Sequence, residues 1–286
     1  MSPLVTVVCL CYNHARFVQE ALESVWAQTY RNIELIVVDD ASTDESKRVI
    51  ERLLQNKPGI TFIALTKNEG NCRAFNRAWH IAKGEFIIDL AADDVLLPER
   101  VEKGVAAFSE RSEIFGVQFG DAEWIDEEGR SLGFHSDRYP FQTIPQGDVY
   151  TEVIQRYFIN SPSMMVRRSV FERLCGYDEN LAYEDFDFWV RASRSFYFFY
   201  LPDVLVKNRK LPGSLSQLQF KRGSPQQLAT YKVCQKILEM NTTPEEQRAL
   251  DKRIGYELVK SLQRGDWSLA GRYILLWRKN RKKSFR

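Results

Sequence analysis

Along the first hundred residues, apolar positions recur in two alternating rhythms. Leu4 to Cys11 is a continuous apolar, β-branched run, as expected of a strand buried on both faces. It ends at Tyr12-Asn13-His14, after which Phe17, Val18, Ala21, Leu22, Val25 and Trp26 fall at the spacing of a helix with one apolar side. The unit repeats. Ile33 to Val38 predicts a second strand, closed by Asp39-Asp40-Ala41-Ser42-Thr43-Asp44, and Val49, Ile50, Leu53 and Leu54 mark a second helix. Ile60 to Leu65 predicts a third strand, and Ala74, Phe75, Ala78, Trp79 and Ala82 a third helix. Gly84 to Leu90 is a fourth strand, running into Ala91-Ala92-Asp93-Asp94 and then Pro98-Glu99-Arg100, a helix start. Strands alternating with helices of about a dozen residues predict an α/β fold with a mostly parallel, Rossmann-like, doubly wound sheet. Ligands of such sheets bind at the carboxyl ends of the strands. Tyr12, Asp39, Asp40, Asn68, Asp93 and Asp94 all sit there, so four connections place polar groups on one rim.

The rhythm changes after Phe108. Phe115 to Phe119 predicts a strand, Gly120 to Gly147 a long polar loop with a turn at Glu128-Gly129, and Asp148 to Tyr157 a helix. A short strand at Met164 to Val166 and a short helix at Ser169 to Leu174 precede Tyr183-Glu184-Asp185-Phe186-Asp187-Phe188-Trp189, three acids among rings. Phe196 to Val206 reads as an aromatic strand region broken at Pro202-Asp203, and three helices follow from Ser224. The organisation expected is a nucleotide-binding half over residues 1–115, a second half of the same domain over 116–215, and a helical C-terminal extension over 216–286.

Composition narrows the function classes. A formal charge of +2 over 286 residues argues against a chain built to neutralise a nucleic-acid backbone. The cations are unevenly placed: the final nine residues hold six basic side chains and no acid, so the body is mildly acidic. Five cysteines without a Cys-x-x-Cys pair read as reduced core thiols, and no apolar window is long enough to span a bilayer, so a cytoplasmic protein is expected. His14, His80 and His135 are too scattered to suggest a cluster.

The chemistry expected lies in the acids. No G-x-G-x-x-G follows strand one, so diphosphate charge needs another partner, and a divalent metal held by Asp94 is the simplest. Farther along, Glu184, Asp185 and Asp187 lie among aromatic side chains, whose desolvation raises a carboxylate toward a useful base. Favourable placement in the first turn of a helix explains one of these acids, but not three.

The ordered set Val5 to Asn13, Ile36 to Asp44, Asn68 to Gly84 and Leu90 to Pro98, with Glu184-Asp185 farther on, resembles family 2 glycosyltransferases, inverting enzymes of the GT-A fold. The resemblance covers residues 4 to about 215. It implies that Tyr12, Asp39 and Asp40 hold the base of a nucleotide-sugar donor, that Asp93 contacts ribose, that Asp94 binds Mn²⁺ or Mg²⁺, and that Asp185 is the general base. Asn13, Arg73 and Glu184 are secondary candidates, as is Arg209, which with Lys210 could neutralise diphosphate. Two departures stand out. Ala91 occupies a position where many members have Asp, and Asn208 to Ser216 lacks a His found in many members near the metal.

The function expected is transfer of a sugar from a nucleotide-diphospho-sugar, UDP-linked, to a glycan or lipid-linked acceptor in surface polysaccharide synthesis. The rival is a non-catalytic nucleotide-binding module with a degenerate site. The basic tail after Trp267, Tyr273 and Trp277 reads equally as a peripheral membrane contact over residues 267–286 or as a solvated helix end.

Overall fold

The computed structural model describes residues 2–139, 143–212, 214 and 221–283. Part of the Asn208 to Ser216 segment and all of the last three residues of the tail therefore fall outside the described residues.

The first four strands and three helices follow the sequence rhythm: β1 (Val5–Cys11), α1 (Val18–Trp26), β2 (Ile33–Asp39), α2 (Ser46–Leu54), β3 (Thr61–Ala64), α3 (Asn71–Trp79) and β4 (Phe86–Ala91). Then come β5 (Val95–Leu96), α4 (Arg100–Ser109), β6 (Phe115–Ile125), β7 (Ser131–Phe134), α5 (Tyr150–Gln155), β8 (Met165–Arg167), α6 (Arg168–Leu174), α7 (Asp185–Ala192) and β9 (Tyr197–Arg209). Three long helices close the chain: α8 (Pro225–Met240), α9 (Pro244–Gln263) and α10 (Trp267–Lys282).

One sheet runs through both halves in the order β3-β2-β1-β4-β8-β6-β9-β5, with β7 paired to β6. β3, β2, β1 and β4 are mutually parallel, while β8 is antiparallel to both β4 and β6. β1 is buried along its whole length, and the chain crosses from it to β2 on one side and β4 on the other. The strand order reverses there, which opens the rim where β1 and β4 end.

Alternation along β4 sends Phe86, Ile88 and Leu90 into a core with α1 and α4, and Ile87 into the opposite core with Phe75 of α3 and Phe188 of α7. That second core also takes in Val233, Ile237, Leu250, Ile254, Leu269 and Tyr273 of the C-terminal helices. These helices thus buttress α7. Lys236 of α8 reaches Asp187 at 2.5 Å, and the Tyr183 hydroxyl pairs with Thr230 at 2.7 Å.

Several sequence expectations need correction. The 120–147 segment is mostly ordered structure: β6 continues to Ile125, turns at Asp126 to Arg130 and returns as β7. Gly120 and polar Asp121 hide this continuation, although Asp121 is buried, pairs with Val204 of β9 and accepts from Ser136. β9 passes through Pro202-Asp203 without breaking, absorbing them in register shifts against β6. Cys175 is exposed, in a left-handed conformation that ends α6, whereas the other four cysteines are buried. Tyr273 is 1% exposed and packs in the core, leaving Trp267, Ile274, Leu275 and Trp277 as the exposed apolar residues of α10. No helix among the described residues is long and apolar enough to cross a membrane.

Candidate active site

The acids at the strand ends are built in different ways. At the end of β2, Asp39 is 1% exposed. Its Oδ2 accepts from the Ser42 amide at 3.2 Å, while its Oδ1 is buried with no hydrogen-bond partner among the described residues. Asp40 next to it is fully engaged: its two oxygens accept from the Glu69 and Gly70 amides at 2.7 and 2.9 Å. It anchors the entry to α3, where Gly70 has a φ of 86° that favours glycine. Burial raises the Asp40 pKa, and the two amides oppose that rise. Asn13, also at positive φ, accepts from Thr43 and Asp44 amides, tying the β1 end to the β2 end. It is a brace. Tyr12 beside it presents an open ring, 43% exposed.

The pairing of β5 with β9 decides the surroundings of Asp94. Val95 lies opposite Lys207, so Asp94 meets the residues that follow on β9. Its Oδ1 accepts from the Arg209 amide at 2.8 Å and from Asn208 Nδ2 at 3.0 Å. Burial, and then the charge of Asp93, push its pKa up to about 8, while Arg209, Asn208 and Lys210 act in the other direction. A carboxylate so disfavoured as an anion is a fitting place for a cation. Asp93 lies with its Oδ1 3.6 Å from His14 Nδ1, a buried nitrogen without a hydrogen bond. No group of three or more His, Cys, Asp or Glu side chains among the described residues is arranged to hold a metal. Asp94 could therefore hold Mn²⁺ or Mg²⁺ only with most positions filled by donor oxygens and water.

Arg209 is not available to a diphosphate. Its guanidinium is 2% exposed and donates to the carbonyls of Asp93, Asp126 and Glu127 and to Glu20. Lys210 is the other candidate for that role, with its ammonium beside Asn208 and 5.1 Å from the Trp124 ring centre. Arg73 is an exposed partner of Glu179 at 3.7 Å.

Across the rim, α7 begins with the acid pair. Glu184 accepts from Asn71 of α3 at 2.6 Å, and Asp185 keeps a buried Oδ1 with no hydrogen-bond partner, the Ser161 hydroxyl being nearby. Burial raises both pKa values, and the charge of Glu184 adds to the rise at Asp185. Asp187, grouped with them by sequence, is structural: it is 1% exposed and clasped by Arg191 and Lys236.

Sequence reasoning missed Asp89. It faces this acid pair from β4, with its Oδ2 accepting from the Tyr177 hydroxyl at 3.2 Å, and burial and the Glu184 charge raise its pKa well above the usual range. The signal available was alternation, since Asp89 is the one charged residue inside an otherwise apolar strand. His14 was missed because only the fold carries it back to Asp93.

Comparisons agree with this architecture. The sequence matches the family described as Glycosyl transferase family 2 over residues 6–175. An uncharacterized glycosyltransferase of Methanocaldococcus jannaschii is 31% identical over 220 residues, covering 74% of this chain and 72% of that protein. One of Rickettsia typhi is 28% identical over 73% of this chain, which spans 64% of that protein. Among solved structures, TarS of S. aureus in complex with UDP superposes with a TM-score of 0.69 at 18% identity, covering 96% of this chain and 80% of that one. The mannosyltransferase PcManGT of Pyrobaculum calidifontis, in complex with GDP-Man and Mn²⁺, gives 0.63 at 18% identity, covering 99% and 83%. These structural likenesses show the GT-A fold. With the family match extending over more than half of the chain, the protein belongs to glycosyl transferase family 2 and is a glycosyltransferase.

Proposed function

We propose that this enzyme moves a sugar, with inversion, from a UDP-linked donor onto a hydroxyl of a glycan or lipid-linked acceptor in surface polysaccharide synthesis. The observation that carries the reading is the unpartnered Oδ1 of Asp185 at the start of α7, across the rim from β4. Asp185 takes the proton of the acceptor hydroxyl as that oxygen bonds to the anomeric carbon. The bond from that carbon to the diphosphate breaks, and its electron pair leaves with the nucleotide. Its raised pKa, caused by burial and by the charge of Glu184, makes it a stronger base than a solvated carboxylate.

The open Tyr12 ring stacks on the base, and the free Oδ1 of Asp39 accepts the imide N–H of uracil. Asp40, both oxygens engaged by backbone, supports the base site from beneath. Asp93 contacts ribose. Mn²⁺ or Mg²⁺, when bound at Asp94, would offset the diphosphate charge, with Lys210 beside it. Support for a nucleotide-sugar donor comes from TarS, solved with UDP-GlcNAc, and from PcManGT with GDP-Man.

The test is Asp185→Asn. Transfer should fall by about 10²- to 10⁴-fold with nucleotide affinity nearly unchanged; retained turnover would refute the assignment. On α10, a helix with no acid, exposed Trp267, Ile274, Leu275 and Trp277 accompany Arg272, Arg278 and Lys279. We read this face as a contact with anionic lipid, and equal flotation on anionic and neutral liposomes would exclude it.

A further inference from the structure

Asp89 has no part in the roles described above. Ile88 and Leu90 on either side of it point into the α1 and α4 core, so Asp89 and Ala91 share the face turned toward α7. Their Cα atoms are about 6.6 Å apart along the strand. Although Asp89 lies within a strand paired residue by residue with β1, it is half-buried, and so is Ala91. What remains open is therefore side chain, facing Glu184 and Asp185.

The Tyr177 hydroxyl fixes one Asp89 oxygen, and the charges that act on the group most strongly, those of Glu184, Asp185 and Asp94, are all acidic. Tyr177 is itself locked, with its ring 4.3 Å from that of Phe75 and 5.5 Å from that of Phe188. A carboxyl group held rigidly, partly exposed and surrounded by acids repels phosphate and suits hydroxyl donors. Ala91 contributes only a methyl group beside it, which leaves room for a ring.

We propose that Asp89 reads the transferred sugar: the oxygen not held by Tyr177 accepts a hydrogen bond from a hydroxyl of the donor pyranose, which lies over Ala91 between Asp94 and Asp185. Asp89 is then a specificity-determining residue, set by β4 and Tyr177 rather than by the rim. The inference rests on the nucleotide-sugar reading above.

Calorimetric titration with UDP, GDP and their glucose, galactose, N-acetylglucosamine and mannose derivatives, in the presence of Mn²⁺, tests it on the full chain. In Asp89→Ala, affinity for the sugar nucleotide that wild type prefers should weaken roughly ten- to a hundredfold, while affinity for the matching diphosphate should change by less than about twofold. Equal changes for both, or no change for either, would overturn the inference. Should Asp89→Ala lose its cooperative melting transition, Ala91→Val decides instead, because its added methyl groups fill the space for the ring and should cause the same selective loss. A wild-type protein that binds neither nucleotide nor sugar nucleotide defeats the functional reading and this inference together. One that binds them while both variants match it defeats only the inference.

Discussion

Replacing Arg209 with alanine separates a structural cation from a ligand-binding one. The guanidinium is 2% exposed and donates to the carbonyls of Asp93, Asp126 and Glu127 at 2.9, 3.0 and 3.2 Å, and to the Glu20 carboxylate at 2.5 Å. It also lies 4.7 Å from the centre of the Phe17 ring. It therefore joins α1, the Asp93 turn and the β6–β7 turn. Glu20 is 54% exposed and regains water once the partner is gone, so little of its bond is lost. The three carbonyls are left facing a vacated space, at about 1 kcal/mol each if water enters it, for a total of about 3 kcal/mol. At roughly 2–3 °C per kcal/mol for a chain of this size, the melting temperature should drop by about 6–9 °C. Arg209→Lys reaches one acceptor at a time and should recover no more than about a third of the loss. Thermal melting followed by circular dichroism, with UDP titration on the same samples, checks this. An Arg209→Ala protein that melts like wild type and has lost more than about tenfold in UDP affinity would refute the structural assignment and restore a diphosphate role.

Two further outcomes follow from the same geometry. Asp40→Ala should lower stability by about 2 kcal/mol by orphaning the Glu69 and Gly70 amides, whereas Asp39→Asn should melt near wild type and lose nucleotide affinity; matching melting curves for the two would contradict this division. His135, whose pKa burial and then Arg138 push down to about 4, stays neutral in the fold while the unfolded chain binds a proton near pH 6.5. Unfolding thus takes up a proton between those values, so stability falls as pH drops from about 6.5 to 4, and His135→Gln should flatten that part of the melting profile.

How far the sequence could be read varies with the kind of physics involved. The first four strands and three helices were legible because each is a local pattern, an apolar run or a one-sided helical spacing. So was the rim, since a strand's end is visible wherever apolar residues give way to polar ones. The extent of β6 and β9 was hidden because Asp121 and the Pro202-Asp203 pair, which read as strand ends, are accommodated where the two strands, far apart in sequence, pair with a register shift. Neighbouring acids looked alike on paper and differ in space. Asp40 is held by two amides while Asp39 keeps a free oxygen, and Asp187 is clasped by cations while Asp185 is not.

By itself, the sequence determined the α/β rhythm, the clustering of carboxylates at strand ends and the family to which those motifs belong, because these depend on residue type and spacing within short segments. Only the tertiary structure decided which carboxylates remain free to act. Strand β9 carries Asn208 and Arg209 to Asp94, and the helices from Pro225 onward supply Lys236 to Asp187. β4 turns Asp89 toward α7. A carboxylate's availability depends on burial and on partners brought from tens of residues to more than a hundred residues away, and neither is written in its local sequence.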